Sequence, residues 1–150
     1  MPDDADGLVP ALPQLSDRVE LRTRHVRAGQ SMTGTLVITS TASGPINLTK
    51  QCEPSLQVVI GNRSVRQQPA FDAMCTNHPL RIYPGTNRFP ITVTTRYFAC
   101  TQPGGSSAPS LPACGADGPP PLPPGRYRTI LVGSGNLPLP EPPSVSVKLT

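Results

Sequence analysis

Met32-Thr-Gly-Thr-Leu-Val-Ile-Thr39 is the stretch that sets the fold class of this chain. Met32, Leu36 and Ile38 fall on one face of an extended backbone, and threonines occupy most of the other face. An apolar face that repeats every second residue, with many β-branched side chains, predicts a strand packed against a core. The turn signal Ala42-Ser-Gly-Pro45 then ends that strand.

The same two-residue period recurs along the chain, and no window shows helical periodicity. The period is strongest from Phe89 to Phe98, a run that leads into Cys100. The predicted strands cover residues 18–26, 32–39, 46–49, 56–60, 80–82, 89–98, 127–132 and 145–149. About seven or eight short strands separated by turn signals predict an all-β chain, folded as an antiparallel β-sandwich, with a small barrel as the alternative.

Proline and glycine divide the chain into regions. The 21 Pro and 13 Gly among 150 residues exclude long helices, because each proline removes a backbone donor and clashes with the preceding turn. Residues 1–16, with three prolines and three aspartates, are predicted to be a flexible leader. Residues 17–150 are predicted to form a single domain, with a Pro/Gly-rich insertion at 101–124 that holds eight Pro and four Gly.

The cysteines indicate the compartment. Cys52, Cys75, Cys100 and Cys114 predict two disulfides, which form in oxidising compartments. The chain is therefore expected to be secreted or extracytoplasmic, with its export signal or anchor absent from this segment. The sequential pairing, Cys52–Cys75 with Cys100–Cys114, needs only local loops, whereas Cys52–Cys100 would bridge two sheets. Direct membrane insertion is not expected, since no apolar run is long enough to span a bilayer.

Two motifs carry a resemblance to a family. Leu122-Pro-Pro-Gly-Arg-Tyr127, with a strand after it, resembles the corner before the penultimate strand of immunoglobulin-like and fibronectin-like domains. The 32–39 strand, closed by Ser43-Gly-Pro-Ile46, is similar to the second strand and turn of bacterial extracellular immunoglobulin-like modules. The resemblance implies an immunoglobulin-like β-sandwich in which the Tyr127 hydroxyl bonds back to upstream backbone. The chain departs from antibody-type domains in lacking tryptophan and in carrying the 101–124 insertion.

The positive charge suggests where a partner could bind. The net charge is +4, and eleven of the thirteen cations are arginine, a bias typical of a GC-rich genome such as an actinobacterial one. Arg18, Arg22 and Arg24 share one face of the first predicted strand, which is a candidate surface for an acidic partner or a cell-wall polymer. Nucleic acid is not expected, because only three Phe and three Tyr are present and no basic–aromatic platform appears.

The loops are the other candidate binding elements. Pro119, Pro120 and Pro121 form a polyproline tract that could dock in an aromatic groove. Loops carried on a rigid β framework often hold the functional contacts, so residues 62–79 and 101–124 are expected to supply most of them.

Catalysis is not expected. The only histidines are His25 and His78, and no Gly-x-Ser-x-Gly motif occurs, so a nucleophile has no evident base. No cofactor is predicted, although Met74, Cys75 and His78 group soft ligands that would suit copper. The sequence thus favours a non-catalytic, monomeric binding module of the bacterial cell envelope or of a larger extracellular protein, whose partner is a protein or a cell-wall component. The alternatives are a protease inhibitor that presents the 101–124 loop and a copper-binding β-sandwich.

Thiol alkylation followed by intact mass tests both predicted disulfides. We expect no cysteine to be alkylated without reductant, and all four to be alkylated after reduction. Free thiols in freshly purified protein would contradict the disulfides and the compartment inferred from them.

Overall fold

A computed structural model describes residues 12–48, 57–65, 67, 81–101, 111–132 and 139–150 of the chain. These residues form strands, turns and irregular segments and no helix, which confirms the predicted all-β class. The strands are β1 (Leu15–Leu21), β2 (His25–Val26), β3 (Met32–Ser40), β4 (Ile46–Asn47), β5 (Gln57–Gly61), β6 (Arg81–Ile82), β7 (Gly85–Val93), β8 (Gly125–Val132) and β9 (Ser146–Leu149).

Within the described ranges these strands form three sheets. β3 lies between β1 and β7 in a three-stranded sheet, and a four-stranded sheet has the order β2-β9-β8-β5. β4 and β6 make a separate pair. All of these pairs are antiparallel except β2 with β9, which is parallel. The predicted antiparallel arrangement therefore holds for every pair but this one.

Both larger sheets bury residues in one hydrophobic core. On β3, the side chains of Met32, Leu36 and Ile38 belong to this core, as the alternation predicts. Leu36 lies opposite Val19 of β1 and Phe89 of β7, so the three strands present one apolar face. The four-stranded sheet contributes Val58, Ile60, Tyr127, Leu131, Val147 and Leu149.

The first predicted strand, residues 18–26, is in fact two strands that belong to different sheets. β1 ends at Leu21, and β2 begins at His25 and pairs with β9. Between them the Thr23 hydroxyl donates to the His25 carbonyl (3.2 Å) and accepts from the His25 N–H (3.4 Å), which closes a local turn. β1 also begins at Leu15, a buried core residue within the range predicted as leader.

β7 runs from Gly85 to Val93 and not over the predicted 89–98. Its pairing with β3 ends where Val93 lies opposite Met32, the first residue of β3. Beyond that point β3 offers no further partner, and residues 94–97 bond to other parts of the molecule. We call residues 94–97 the exit segment.

The Thr95 hydroxyl ties the exit segment to the turn before β3. Thr95 is completely buried, and its hydroxyl donates to the Gln30 carbonyl while it accepts from the Gly29 N–H, both at 2.7 Å. One side chain thus satisfies two backbone groups of a turn that is distant in sequence.

The Gln67 amide ties the exit segment to the four-stranded sheet. Gln67 is 1% exposed, and its side-chain nitrogen donates to the carbonyls of Thr94 (2.9 Å) and Arg96 (2.6 Å). Its side-chain oxygen accepts the N–H of Ile60 in β5 (2.9 Å). A single buried side chain therefore connects the end of β7 with an edge strand of the other large sheet.

Two glycine corners open β7 and β8. Gly85 and Gly125 have φ angles of 93° and 152°, where a side chain is strained. Ile82 and Leu122, each three residues earlier, are 0% and 1% exposed. Ile82-Tyr-Pro-Gly85 and Leu122-Pro-Pro-Gly125 thus share one pattern, a buried apolar residue followed by a Pro-Gly pair, and each leads into a strand of a different large sheet.

Tyr127 closes the second of these corners. Its hydroxyl donates to the Pro123 carbonyl at 2.6 Å, which is the type of hydrogen bond that the resemblance to immunoglobulin-like domains implies. Burial raises the pKa of Tyr127, and the nearby Tyr97 adds to this shift. The phenol therefore stays protonated and able to donate.

Substitution of Gln67 tests the connection between the sheets. We expect Gln67→Leu to lower the free energy of unfolding by about 2–4 kcal/mol, because one N–H and two carbonyls lose a partner inside the protein. Urea unfolding measures this loss. Gln57→Leu, at the half-buried start of β5, is the control and should change stability by less than about 0.5 kcal/mol. Equal stability of the two variants would contradict the connecting role.

Candidate binding surfaces

A disulfide braces the Pro/Gly-rich segment. Cys100 and Cys114 are bonded with their Cα atoms 4.9 Å apart, which confirms this predicted pair. Beside the bridge, the Thr101 N–H donates to the Pro112 carbonyl (2.8 Å) and the Cys114 N–H to the Thr101 carbonyl (3.0 Å). We call residues 100–124 the braced segment; residues 100–101 and 111–124 of it are described. Cys52 and Cys75 lie outside the described residues.

The C-terminal part of the braced segment is fixed to the exit segment. Gly115 and Gly118 close a turn through two mutual backbone hydrogen bonds of 2.8 and 3.2 Å. The chain then runs along the exit segment, where the Tyr97 N–H donates to the Pro120 carbonyl (3.0 Å) and the Leu122 N–H to the Thr95 carbonyl (2.8 Å). The base of the segment is therefore held both covalently and by backbone pairing.

The polyproline tract belongs to this fixed part. The carbonyls of Pro119 and Pro120 accept hydrogen bonds from the Arg96 guanidinium (3.2 Å) and from the Tyr97 N–H (3.0 Å). Pro119 and Pro120 are half-buried, and only Pro121 of the three is exposed. The structure thus places one side of the tract against the exit segment and leaves the other side facing outward.

Arg18, the first of the three arginines singled out from the sequence, forms an ion pair. Arg18 Nε lies 2.8 Å from one Glu20 carboxylate oxygen, and Arg88 Nη1 lies 3.2 Å from the other. The hydrogen bond from Arg18 is the main reason that the pKa of the Glu20 carboxyl is lowered. Val37 lies between the two arginines in register and is fully buried.

Arg22 stays with Arg18 on the three-stranded sheet, since its N–H donates to the Thr33 carbonyl at 3.0 Å, whereas Arg24 does not. Arg22 and Arg24 are both exposed and lie between β1 and β2, where the chain passes from one sheet to the other. The Arg24 carbonyl accepts the Lys148 N–H at 2.7 Å and so belongs to the four-stranded sheet. The structure therefore divides the three arginines between two sheets.

A denser group of cations, not singled out from the sequence, lies on the outer face of the four-stranded sheet. Lys148 of β9 lies opposite Arg126 of β8 on one side and opposite His25 of β2 on the other. Arg128 is the next outward residue on β8. We call His25, Arg126, Arg128 and Lys148 the basic face. All four are exposed, and the ion pairs among the described residues both use Glu20 instead.

No group of three or more His, Cys, Asp or Glu side chains in the described residues is arranged to hold a metal ion. Met74, Cys75 and His78, the basis of the copper hypothesis, lie outside the described residues. No helix in the described part is long and apolar enough to cross a membrane.

Asp17 is the titratable group with the most unusual surroundings in the described part of the chain. It lies on the core side of the three-stranded sheet, in register with Ile38, and its Oδ2 atom is buried with no hydrogen-bond partner. Burial raises the pKa of this carboxyl from 3.8 to about 6. Ionisation of Asp17 therefore costs more free energy in the folded state than in the unfolded state.

No protein-family model matches the chain, and no curated protein matches it significantly. The candidates for function are therefore the surfaces described above, the braced segment and the basic face.

Asp17→Asn is expected to stabilise the protein at neutral pH. Because the folded pKa is about 6 and the ordinary value 3.8, the folded state binds the proton more tightly, and stability falls as pH rises between these values. Solvent screens part of the effect, so the gain at pH 7.5 should be about 1–2 kcal/mol and should vanish at pH 3.

Urea unfolding across this pH range measures the effect of Asp17→Asn. Asp117→Asn, at an exposed position in the 115–118 turn, is the matched control and should leave the pH profile unchanged. A wild-type profile that is flat between pH 4 and 6.5 would contradict the cost assigned to Asp17.

Proposed function

We propose that the chain is a non-catalytic binding module with an immunoglobulin-like β-sandwich fold. Two features support this fold: the two larger sheets share one core, and the Tyr127 hydroxyl bonds back to Pro123 at the corner before β8. Such a framework is a rigid support for recognition segments, and it provides no chemistry of its own.

The braced segment is the observation that carries this proposal. It is joined by the Cys100–Cys114 disulfide and paired along the exit segment at 120–122. A recognition element whose base is already ordered loses less conformational entropy on binding, so more of its contact energy becomes affinity. A disulfide and two backbone hydrogen bonds hold this proline-rich segment, although its described residues add no strand to the large sheets.

The proposed site of action is outside the cytoplasm, in the bacterial cell envelope or in a larger extracellular protein. The Cys100–Cys114 disulfide is consistent with an oxidising compartment, where such bonds persist. A protein or a cell-wall component is the proposed partner.

A protease inhibitor is the second candidate, and the same disulfide favours it. Inhibitors of proteases present an exposed loop whose ends are rigidly held, which is what the pairing of Cys100 with Cys114 provides. Micromolar protein assayed against a panel of serine, cysteine and metalloproteases tests this candidate, and an absence of inhibition excludes it.

Binding to isolated actinobacterial cell envelopes tests the main proposal. We expect labelled protein to sediment with the envelopes saturably, and unlabelled protein to compete. Cys100→Ala/Cys114→Ala should weaken this binding at least tenfold, because the unbraced segment must be ordered on binding.

Thr129→Val is the control for general loss of stability. The Thr129 hydroxyl accepts the Val145 N–H at 2.8 Å in the buried part of the four-stranded sheet, away from the braced segment. Circular dichroism should show that both variants are folded before they are compared. Failure of the wild type to bind, or equal binding by the double-cysteine variant and the wild type, would overturn the proposal.

A further inference from the structure

The basic face is a two-dimensional array of basic side chains that form no ion pair with any described residue. His25, Lys148 and Arg126 form one row across three neighbouring strands, and Arg128 begins the next row beside Ser146. The acidic residues that the structure describes lie elsewhere: Asp17 and Glu20 on β1, Asp117 in the 115–118 turn, and Glu141 before β9. None of these acids forms an ion pair with the basic face.

Repulsion between like charges destabilises the basic face, and the three-stranded sheet has less of this repulsion. Like charges directly opposite on neighbouring strands repel, and Arg126 lies directly opposite Lys148. On the outer face of the three-stranded sheet, Glu20 forms ion pairs with both Arg18 and Arg88 and offsets one of their two charges. The chain thus supplies a carboxylate to the arginines of one face, and the described residues supply none to the other, which points to an external anion as its partner.

From this contrast we infer that the basic face binds a linear anionic polysaccharide. Neighbouring strands lie about 5 Å apart, and alternate residues of one strand are about 6.8 Å apart, so the basic side chains start from a regular grid on the backbone. Such a flat array matches an extended polymer with repeated charges better than a single small anion, which needs an enclosing pocket. Guanidinium groups pair with carboxylate and sulfate oxygens through two parallel hydrogen bonds.

The other side chains of the array favour a glycan over other polyanions. No Phe or Tyr lies in the two rows, so the face offers no stacking platform for nucleic-acid bases. Its remaining members are Ser146, opposite Arg128 on β9, and Gly61, opposite Arg128 on β5. Ser146 is exposed and can exchange hydrogen bonds with sugar hydroxyls, while Gly61 is buried and adds no side chain beside Arg128.

This inference goes beyond the proposed function, because it uses a different surface from the braced segment and names a ligand class. The two surfaces can be separated by experiment. The double-cysteine variant leaves every residue of the basic face in place and should keep its affinity for polysaccharide.

Titration of fluorescently labelled polygalacturonate and heparin, at 50 and 200 mM NaCl, tests the inference. We expect both polymers to bind at 50 mM NaCl and to bind more weakly at 200 mM, because binding releases counterions. Arg126→Gln/Arg128→Gln/Lys148→Gln should weaken binding at least tenfold. This variant should fold, since it removes exposed charges of like sign.

The matched control is Arg18→Gln/Arg22→Gln/Arg88→Gln, which removes three exposed cations outside the basic face. It should weaken binding less than threefold. Neutral dextran should not bind, and polyglutamate and oligothymidylate should bind at least tenfold more weakly than heparin. Equal losses in the two triple variants, tighter binding of polyglutamate or oligothymidylate, or no binding of either polysaccharide at 50 mM NaCl would overturn the inference.

Discussion

The hydrogen bonds of the exit segment are the constraint on which the rest of the structure depends. Its four residues, 94–97, contact three parts of the chain that are far apart in sequence. Gln67 links it to β5, the Thr95 hydroxyl links it to the turn before β3, and residues 120–122 pair with its backbone. The end of the three-stranded sheet, the edge of the four-stranded sheet and the base of the braced segment are therefore positioned together. The bonds lie where water is largely excluded, so none of them can be exchanged cheaply for a bond to solvent.

Much of this architecture follows from local patterns, and the rest depends on pairing that local patterns do not contain. The alternation in 32–39 identifies β3 and its core residues, and the two Pro-Gly corners mark where β7 and β8 begin. The Cys100–Cys114 pair is also a local feature, because it closes a short loop. The change of sheet after Leu21 and the end of β7 at Val93 are set by which strand lies alongside, and neighbours of that kind are distant in sequence. For the same reason local patterns do not predict the basic face, because Arg126 and Lys148 become neighbours only through the pairing of β8 with β9.

The two outer sheet faces show how one composition can serve two purposes. Both faces are rich in arginine, but on one of them a glutamate pairs with two arginines and offsets one of their charges, and Val37 is buried beside these arginines. The other face keeps its charge and stays accessible to solvent. Net charge alone does not distinguish these situations, because it sums over both faces. The distribution of the few acidic residues, more than the number of basic ones, thus determines where this molecule can attract an anion.

The parallel pairing of β2 with β9 has a mechanical consequence. Three backbone hydrogen bonds join residues 24–28 to residues 148–150: Lys148 to Arg24, Thr150 to Val26, and Ala28 to Thr150. A tensile force that pulls residue 24 and residue 150 apart acts along two parallel strands in opposite directions. It therefore shears these bonds simultaneously and does not open them one after another. If the module were joined at both sides to a longer extracellular chain, tension would load all three of these hydrogen bonds at once. This short parallel pair would then resist stretching.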